Sequence, residues 1–219
     1  PPTILPVYQK AIPVQIKNTL NPEHEGTLIC QSKMNGKDHP IKGISSISEI
    51  TLITVQGLGM VGVTGISMRL FGALAKEEIN VILISQASSE NSISFAIDTK
   101  FTETANEAVR KEFEREISSG RINKISIESD LCIVAIVGEN MKHSAGIAGK
   151  LFYTIGKNGI NVVAIAQGAS EQNISWVVKK SDLRKTLNVV HESFFLSPYI
   201  ELNIFLVGIG TVGRDLLQQ

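Results

Sequence analysis

Aromatic residues are scarce in this chain, at 5% of 219 positions against 43% hydrophobic overall, so its core must be largely aliphatic. An excess of charge is missing as well. Lys and Arg together number 21, as do Asp and Glu, for a formal net charge of +0. No net field draws in nucleic acid or an anionic membrane, and neither is expected as a partner. Long hydrophobic runs are absent too: stretches such as 162–166 have strand length, far short of the roughly 20 residues that span a membrane. The only cysteines, Cys30 and Cys132, lie outside any metal or redox spacing, which suits free thiols in a reducing cytoplasm. His24, His39, His143 and His191 form no pair at metal spacing, and no Ser, Cys or carboxylate stands in a nucleophile motif. Neither a metal site nor a catalytic residue is expected. The opening Pro1-Pro2-Thr3 is not a basic stretch leading into an apolar one, so no signal peptide is expected.

What the chain does contain is an internal repeat. Residues 79–97, INVILISQASSENSISFAI, align without a gap on 160–178, INVVAIAQGASEQNISWVV, at an offset of 81 (160 − 79), and nine of the nineteen positions are identical. The identities include Asn80/Asn161, Gln86/Gln167, Glu90/Glu171 and Ser94/Ser175. The same offset continues upstream through Gly57/Gly138, Met60/Met141, Gly65/Gly146, Ile66/Ile147, Leu70/Leu151 and Phe71/Phe152.

Each copy has a readable order. In the first, 51–56 reads as a strand and 65–78 as a helix with Ile66, Leu70, Phe71 and Leu74 on one stripe. Residues 79–84 and 92–97 read as strands around the polar turn SQASSEN. Thr104-x-x-Glu107 has the form of a capping box opening a helix that Gly120 closes, and 121–128 supplies a further strand. The second copy runs 131–137, 144–157, 160–167, 173–178 and a helix from Ser181 or Asp182 to Phe195. That order predicts an α+β chain of two ferredoxin-like βαββαβ units, each an antiparallel sheet with helices on one face.

Two glycine motifs follow strands and have the spelling of a dinucleotide fingerprint. The repeat argues against the first, Gly57-x-Gly59-x-x-Gly62. Its counterpart reads GENMKH, and the following strand ends Ile84-Ser85-Gln86 without the acidic residue a ribose needs. These glycines are read as turn formers ahead of a helix. The second, Gly208-x-Gly210-x-x-Gly213, is correctly spaced behind the strand 203–207, yet the chain stops before any acidic partner. Ending at Gln219, it is expected to be a piece of a longer protein, with a cofactor site left incomplete at Gly208, Gly210 and Gly213.

Helix N-termini offer unpaired N–H groups to a carboxylate, and one lies at Gly65-Ile66 and again at Gly146-Ile147. Each neighbours the start of the next strand, Ile79-Asn80-Val81 or Ile160-Asn161-Val162, which leads to Gln86 or Gln167. A neutral amide donates and accepts, so the set suits a free amino acid. On spacing alone, both glutamines equally fit a role in satisfying the turn after the strand. Glu90 and Glu171 read as solvated or capping residues of polar turns. RNA-binding sheets of this topology need stacking aromatics and a basic surface, which are not here.

These stretches, joined by LCIVAIVGENM, resemble the tandem ACT domains of aspartate kinases, and especially those of bifunctional aspartokinase–homoserine dehydrogenases. Residues 11–29 are similar to the segment closing the kinase domain, and IELNIFLVGIGTVGRDLL to the first strand and glycine loop of the dehydrogenase. Only the linker 31–40 adds little. The resemblance implies four parts: a kinase stub and linker (1–40), two ACT units (41–130 and 131–196) and a dehydrogenase start (197–219). It implies an allosteric module that binds an end-product amino acid, usually L-threonine, and associates as a homodimer or higher homo-oligomer. By position, Ile84 with Gln86 and Ile165 with Gln167 match the family's threonine contacts. Lysine-sensing relatives use positions matching Met60, Val63, Gly65, Ile66, Asn80, Val81 and Ile82, with an acid near Ile82. The apolar Ile82 therefore favours threonine, leaving a lysine-sensing or ligand-free dimerisation module as alternatives. Exchange of strands between the two units has precedent in the family. The parent enzyme implied uses ATP with Mg and NAD(P)H. The kinase motifs and the dehydrogenase's catalytic half are missing here, so the chain is expected to have no cofactor and no activity of its own.

Overall fold

The structure, a computed structural model, describes residues 4–30, 41–138, 141, 144–168 and 172–196. The chain divides into two compact units, Pro1–His39 and Pro40–Gln219. The first contains a short helix α1 (Leu5–Gln9) and a hairpin of β1 (Val14–Ile16) and β2 (Thr27–Ile29), paired antiparallel from Val14↔Ile29 to Ile16↔Thr27.

The second unit holds both repeats. In chain order it runs β3 (Ile41–Gln56), α2 (Ile66–Lys76), β4 (Leu83–Gln86), β5 (Ser92–Asp98), α3 (Thr102–Glu112), α4 (Glu114–Ser118), β6 (Lys124–Gly138), α5 (Ile147–Lys157), β7 (Ala164–Gln167), β8 (Asn173–Lys179) and α6 (Leu183–Phe195). Its strands form one antiparallel sheet in the order β4-β5-β3-β6-β8-β7. The two middle strands are 16 and 15 residues long, against about 5–6 for an ordinary strand.

Their length is the key to the architecture. β3 and β6 pair from Ile41↔Gly138 to Gln56↔Lys124, with register breaks either side of Ile50. Glu49 and Asp130, 81 apart, sit there with left-handed φ of 59° and 56°. Such bulges bend a strand and let it pass from one unit to the next. The later half of β3 joins β5 and the opening half of β6 to make the first ferredoxin-like sheet. The later half of β6 joins β8 to make the second, and the fourth strand of that second sheet is 41–47. The second ferredoxin-like sheet is thus completed by residues that precede the first such sheet in sequence.

Period-two alternation sorts the side chains. Ile93, Phe95 and Ile97 of β5 meet Leu70 and Leu74 of α2 and Val109 of α3 in one core. Ile174, Trp176 and Val178 of β8 meet Leu151 and Ile155 of α5 and Val190 of α6 in a second. A third cluster contains no helical residue: Leu52, Leu83 and Ala96 from one half-sheet meet Leu131, Ile133 and Val177 from the other. The two ferredoxin-like halves of the second unit therefore bury their helix-free faces against each other, and the hydrophobic effect holds them together.

The capping box is a correction. Thr104 lies inside α3, which starts at Thr102 behind a 3-10 turn, Thr99–Phe101, whose Lys100 N–H is accepted by the Asp98 carboxylate. Asp98 ends the strand and turns the chain at once, so the helix begins earlier than the Thr104 signal indicates. The strand expected at 79–84 joins the ladder only from Leu83, though the Ile82 N–H still donates to the Ala96 carbonyl at 2.8 Å.

Candidate functional site: the cavity at the start of α2

The loop from Gly57 to Gly65 carries β3 into α2, and its glycines have a local cause. A Cβ on Gly57 would stand 2.0 Å from the Arg121 carbonyl oxygen and 2.6 Å from the Ile122 Cα; one on Gly59 would stand 2.4 Å from the Arg121 Cβ. The Gly59 N–H donates to that same Arg121 carbonyl at 3.0 Å. What comes close to the glycines is the protein's own chain, where the fingerprint spelling suggested a pyrophosphate. Met60 and its counterpart Met141 are 3% and 5% exposed and anchor the two loops in their respective cores. The buried methionine is shared by both copies, while in the first loop Gly57 and Gly59 have Arg121 pressed against them.

A cavity of about 600 Å³ opens where the loop becomes α2. Residues 62–68 form one wall, and Met60, Gln86, Glu90 and Ile93 form the other. The N-cap of α2 is Gly65 in the left-handed region at φ 86°, and no side chain caps the helix. Its first turn accordingly turns uncapped N–H groups, and the positive end of the helix dipole, towards the cavity. The Glu90 carboxylate, which also lines the cavity, accepts a hydrogen bond from the Gly62 N–H at 3.1 Å. A partial positive charge, a carboxylate and a neutral amide thus share one open chamber.

The helix is held firmly. Arg69 donates to the carboxylates of Glu112 at 2.8 Å and Glu116 at 2.5 Å, donates to the Glu112 carbonyl at 2.8 Å, and lies 4.7 Å over the Phe113 ring. Those hydrogen bonds push the Arg69 guanidinium above its ordinary value, and Arg69 in turn holds the Glu116 carboxyl below the usual carboxylate range.

Met60, Val63, Gly65, Ile66 and Gln86 all line this cavity. Ile82 and Ile84 do not: they line a second groove of about 430 Å³ on the helix-free side, with Ile47, Val137, Asn173 and Ser175. Val81 packs against the first core and Asn80 is exposed, in neither cavity. In the second repeat Asn161, Ile165 and Gln167 are exposed, and the Ser85 hydroxyl donates to the Ile165 carbonyl at 3.0 Å. His143 and Glu171, the counterparts of Gly62 and Glu90, lie outside the described residues, as does the whole motif at Gly208, Gly210 and Gly213. Sequence reasoning passed over Glu90 as a cavity residue. Its identity with Glu171 was the available signal. Among the described residues no His, Cys, Asp and Glu cluster could hold a metal ion, and no helix is long and apolar enough to cross a membrane.

Comparison with known proteins agrees with this architecture. An ACT domain model matches twice, at 53–113 and 134–194, again 81 apart and together over more than half the chain. This chain therefore belongs to the ACT-domain family, as a tandem pair. It is 40% identical to the bifunctional aspartokinase/homoserine dehydrogenase 2 of Arabidopsis thaliana along its whole length, covering 24% of that protein. The chain spans about a quarter of the length of the curated relatives it matches. Among solved structures it is similar to Clostridium acetobutylicum aspartate kinase, with TM-score 0.76 and 25% identity over 87% of this chain and 44% of that one. It is also similar to E. coli aspartokinase III in complex with lysine and aspartate, with TM-score 0.66 and 26% identity over 89% of this chain and 41% of that one.

Proposed function

We propose that this chain is the amino-acid-sensing regulatory region of an aspartokinase–homoserine dehydrogenase, with L-threonine as its effector. The observation that carries the reading is the cavity at the start of α2, which gathers Met60, Gly65, Ile66 and Gln86. A free amino acid brings a carboxylate, an ammonium and, in threonine, a small polar side chain. The carboxylate suits the first-turn N–H groups of α2, and the Gln86 amide can donate and accept at once. End-to-end similarity to bifunctional aspartokinase/homoserine dehydrogenases supports the class of parent enzyme. That enzyme would be cytoplasmic, and would use ATP with Mg at the kinase and NAD(P)H at the dehydrogenase. Association through the ACT units into a homodimer or higher homo-oligomer belongs to the same proposal. The effector would act by preferring one arrangement of the units, shifting the equilibrium by its differential affinity, typically about 1–3 kcal/mol.

Similarity to the lysine complex of aspartokinase III favours a lysine effector as a second reading. The acid that lysine-sensing relatives carry near Ile82 has no counterpart here, but Ile82 lies outside this cavity and does not decide between the two effectors. Calorimetric titration with L-threonine, L-lysine and L-methionine separates the two. Saturable heat is expected with threonine alone, weakened by Gln86→Ala, and its stoichiometry counts the working repeats. Heat with lysine alone would replace threonine by lysine. No heat with any of the three would remove the sensing role.

A further inference from the structure

Glu90 is the only ionisable residue among the described residues lining the cavity. One of its carboxylate oxygens takes the Gly62 N–H at 3.1 Å, which fixes the group at the chamber wall. A carboxylate has room for about four hydrogen bonds, so most of its capacity is free for a ligand. The second repeat keeps the same Gln-x-x-x-Glu spacing, Gln167 and Glu171, although it has lost two of the three loop glycines.

Resting on the reading of the cavity as an amino-acid site, we propose that Glu90 sets its specificity: the carboxylate holds the ligand's α-ammonium and restricts the site to amino acids with uncharged side chains. The reasoning is charge balance. A zwitterion with a neutral side chain brings one cation, which Glu90 matches, and one carboxylate, which α2 receives. Lysine brings a second cation with no counterpart in the lining, and aspartate brings a second anion beside Glu90. An unmatched charge in a partly desolvated site is costly.

The test is calorimetric titration of the full chain and of E90Q and E90A. Glutamine keeps an oxygen that accepts from the Gly62 N–H, so a loop-fastening role would leave E90Q like the wild type. The charge role makes E90Q and E90A alike, each binding L-threonine about fivefold to tenfold more weakly, between an exposed ion pair and a buried charged hydrogen bond. Threonine affinity in E90Q equal to the wild type overturns the inference and leaves the amino-acid site standing. The wild type supplies a second check that no folding defect can obscure: lysine and aspartate should bind at least about fivefold more weakly than threonine, by the same ion-pair range. Comparable affinity for either overturns the inference, whereas a wild type that binds none of the three overturns the site itself.

Discussion

In the first repeat Arg69 reaches from α2 to Glu112 and Glu116 and lies over Phe113. In the second its counterpart Lys150 lies 4.8 Å over the Phe194 ring, and Ser193 takes the position of Glu112. Ser193 instead shares a 3.1 Å hydrogen bond with Thr154. A planar guanidinium can bind two carboxylates and stack on a ring together, which a single ammonium cannot do. The first copy is therefore fastened by two ion pairs and a cation over a ring, the second by a cation over a ring and a neutral hydrogen bond. The difference falls beside the cavity in the first repeat, where the start of α2 must be held in place for N–H groups and Glu90 to face each other.

The greatest expected effect breaks the first copy's loop. Gly57→Ala places a methyl group 2.0 Å from backbone at Arg121, which cannot swing aside as a flexible side chain could. We expect a loss of about 3 kcal/mol, at the upper end for overpacking, and a thermal midpoint lower by roughly 6–12 °C. Gly43→Ala, in the strand that leads to this loop, is the control, since a Cβ there meets nothing within 4 Å. Equal midpoints for the two variants would mean that close approach to Arg121 is not why Gly57 is glycine.

The sequence carried the repeat plainly, because both copies bury the same aliphatic stripes and a fixed offset of 81 survives drift at exposed positions. The helices were legible for the same reason: Leu70 and Leu74, or Leu151 and Ile155, recur at helical spacing on buried faces. Strand exchange was not legible. The first strand was expected only from 51; Ile41, Ile44 and Ile47 do not alternate with period two, and no local signal says which sheet 41–47 joins, since pairing is non-local and its register depends on the Glu49 bulge. Gly57 and Gly59 were read as turn formers because the second copy lacks their pattern, but Arg121 as the group that comes close was not legible, for a loop that admits a pyrophosphate and one that admits Arg121 need the same missing side chain. Of the cavity, Gln86 and the Gly65-Ile66 helix start were readable. Glu90 was not, because a carboxylate aimed at a backbone N–H and one in solvent look alike in a polar turn.

A smaller effect sharpens the contrast between the cores. Phe95 and Trp176 occupy equivalent, fully buried positions, and the indole Nε1 of Trp176 has no hydrogen-bond partner among the described residues. Phe95 already meets Phe71 edge-on at 6.3 Å between centroids. Phe95→Trp should cost about 2 kcal/mol through overpacking and a second unpaired donor. Trp176→Phe should stay within about 1 kcal/mol of wild type, because losing the unpaired N–H offsets the space left behind. Urea midpoints measure both, and equal losses would show that the two cores tolerate the swap alike.

The smallest change turns the first copy's clasp into the second's. Arg69→Lys loses the fork to Glu112 and Glu116, whose side chains are 27% and 19% exposed beside an arginine at 33%. Solvent screening at that exposure limits the loss to about 1 kcal/mol, or roughly 2–4 °C. Its pH dependence identifies the cause. Glu116 is held below the ordinary carboxylate range by Arg69, so its contribution is present above the unfolded value and vanishes as pH falls through the folded one. The gap between wild type and Arg69→Lys should therefore be full at neutral pH and begin to close as pH drops below about 4.3, the ordinary glutamate value. It should also shrink in high salt. Lys150→Arg, facing Ser193 in place of a carboxylate, should gain no comparable stability. A gap that is flat across this pH range would assign the clasp to Arg69 stacking on Phe113 rather than to its carboxylates.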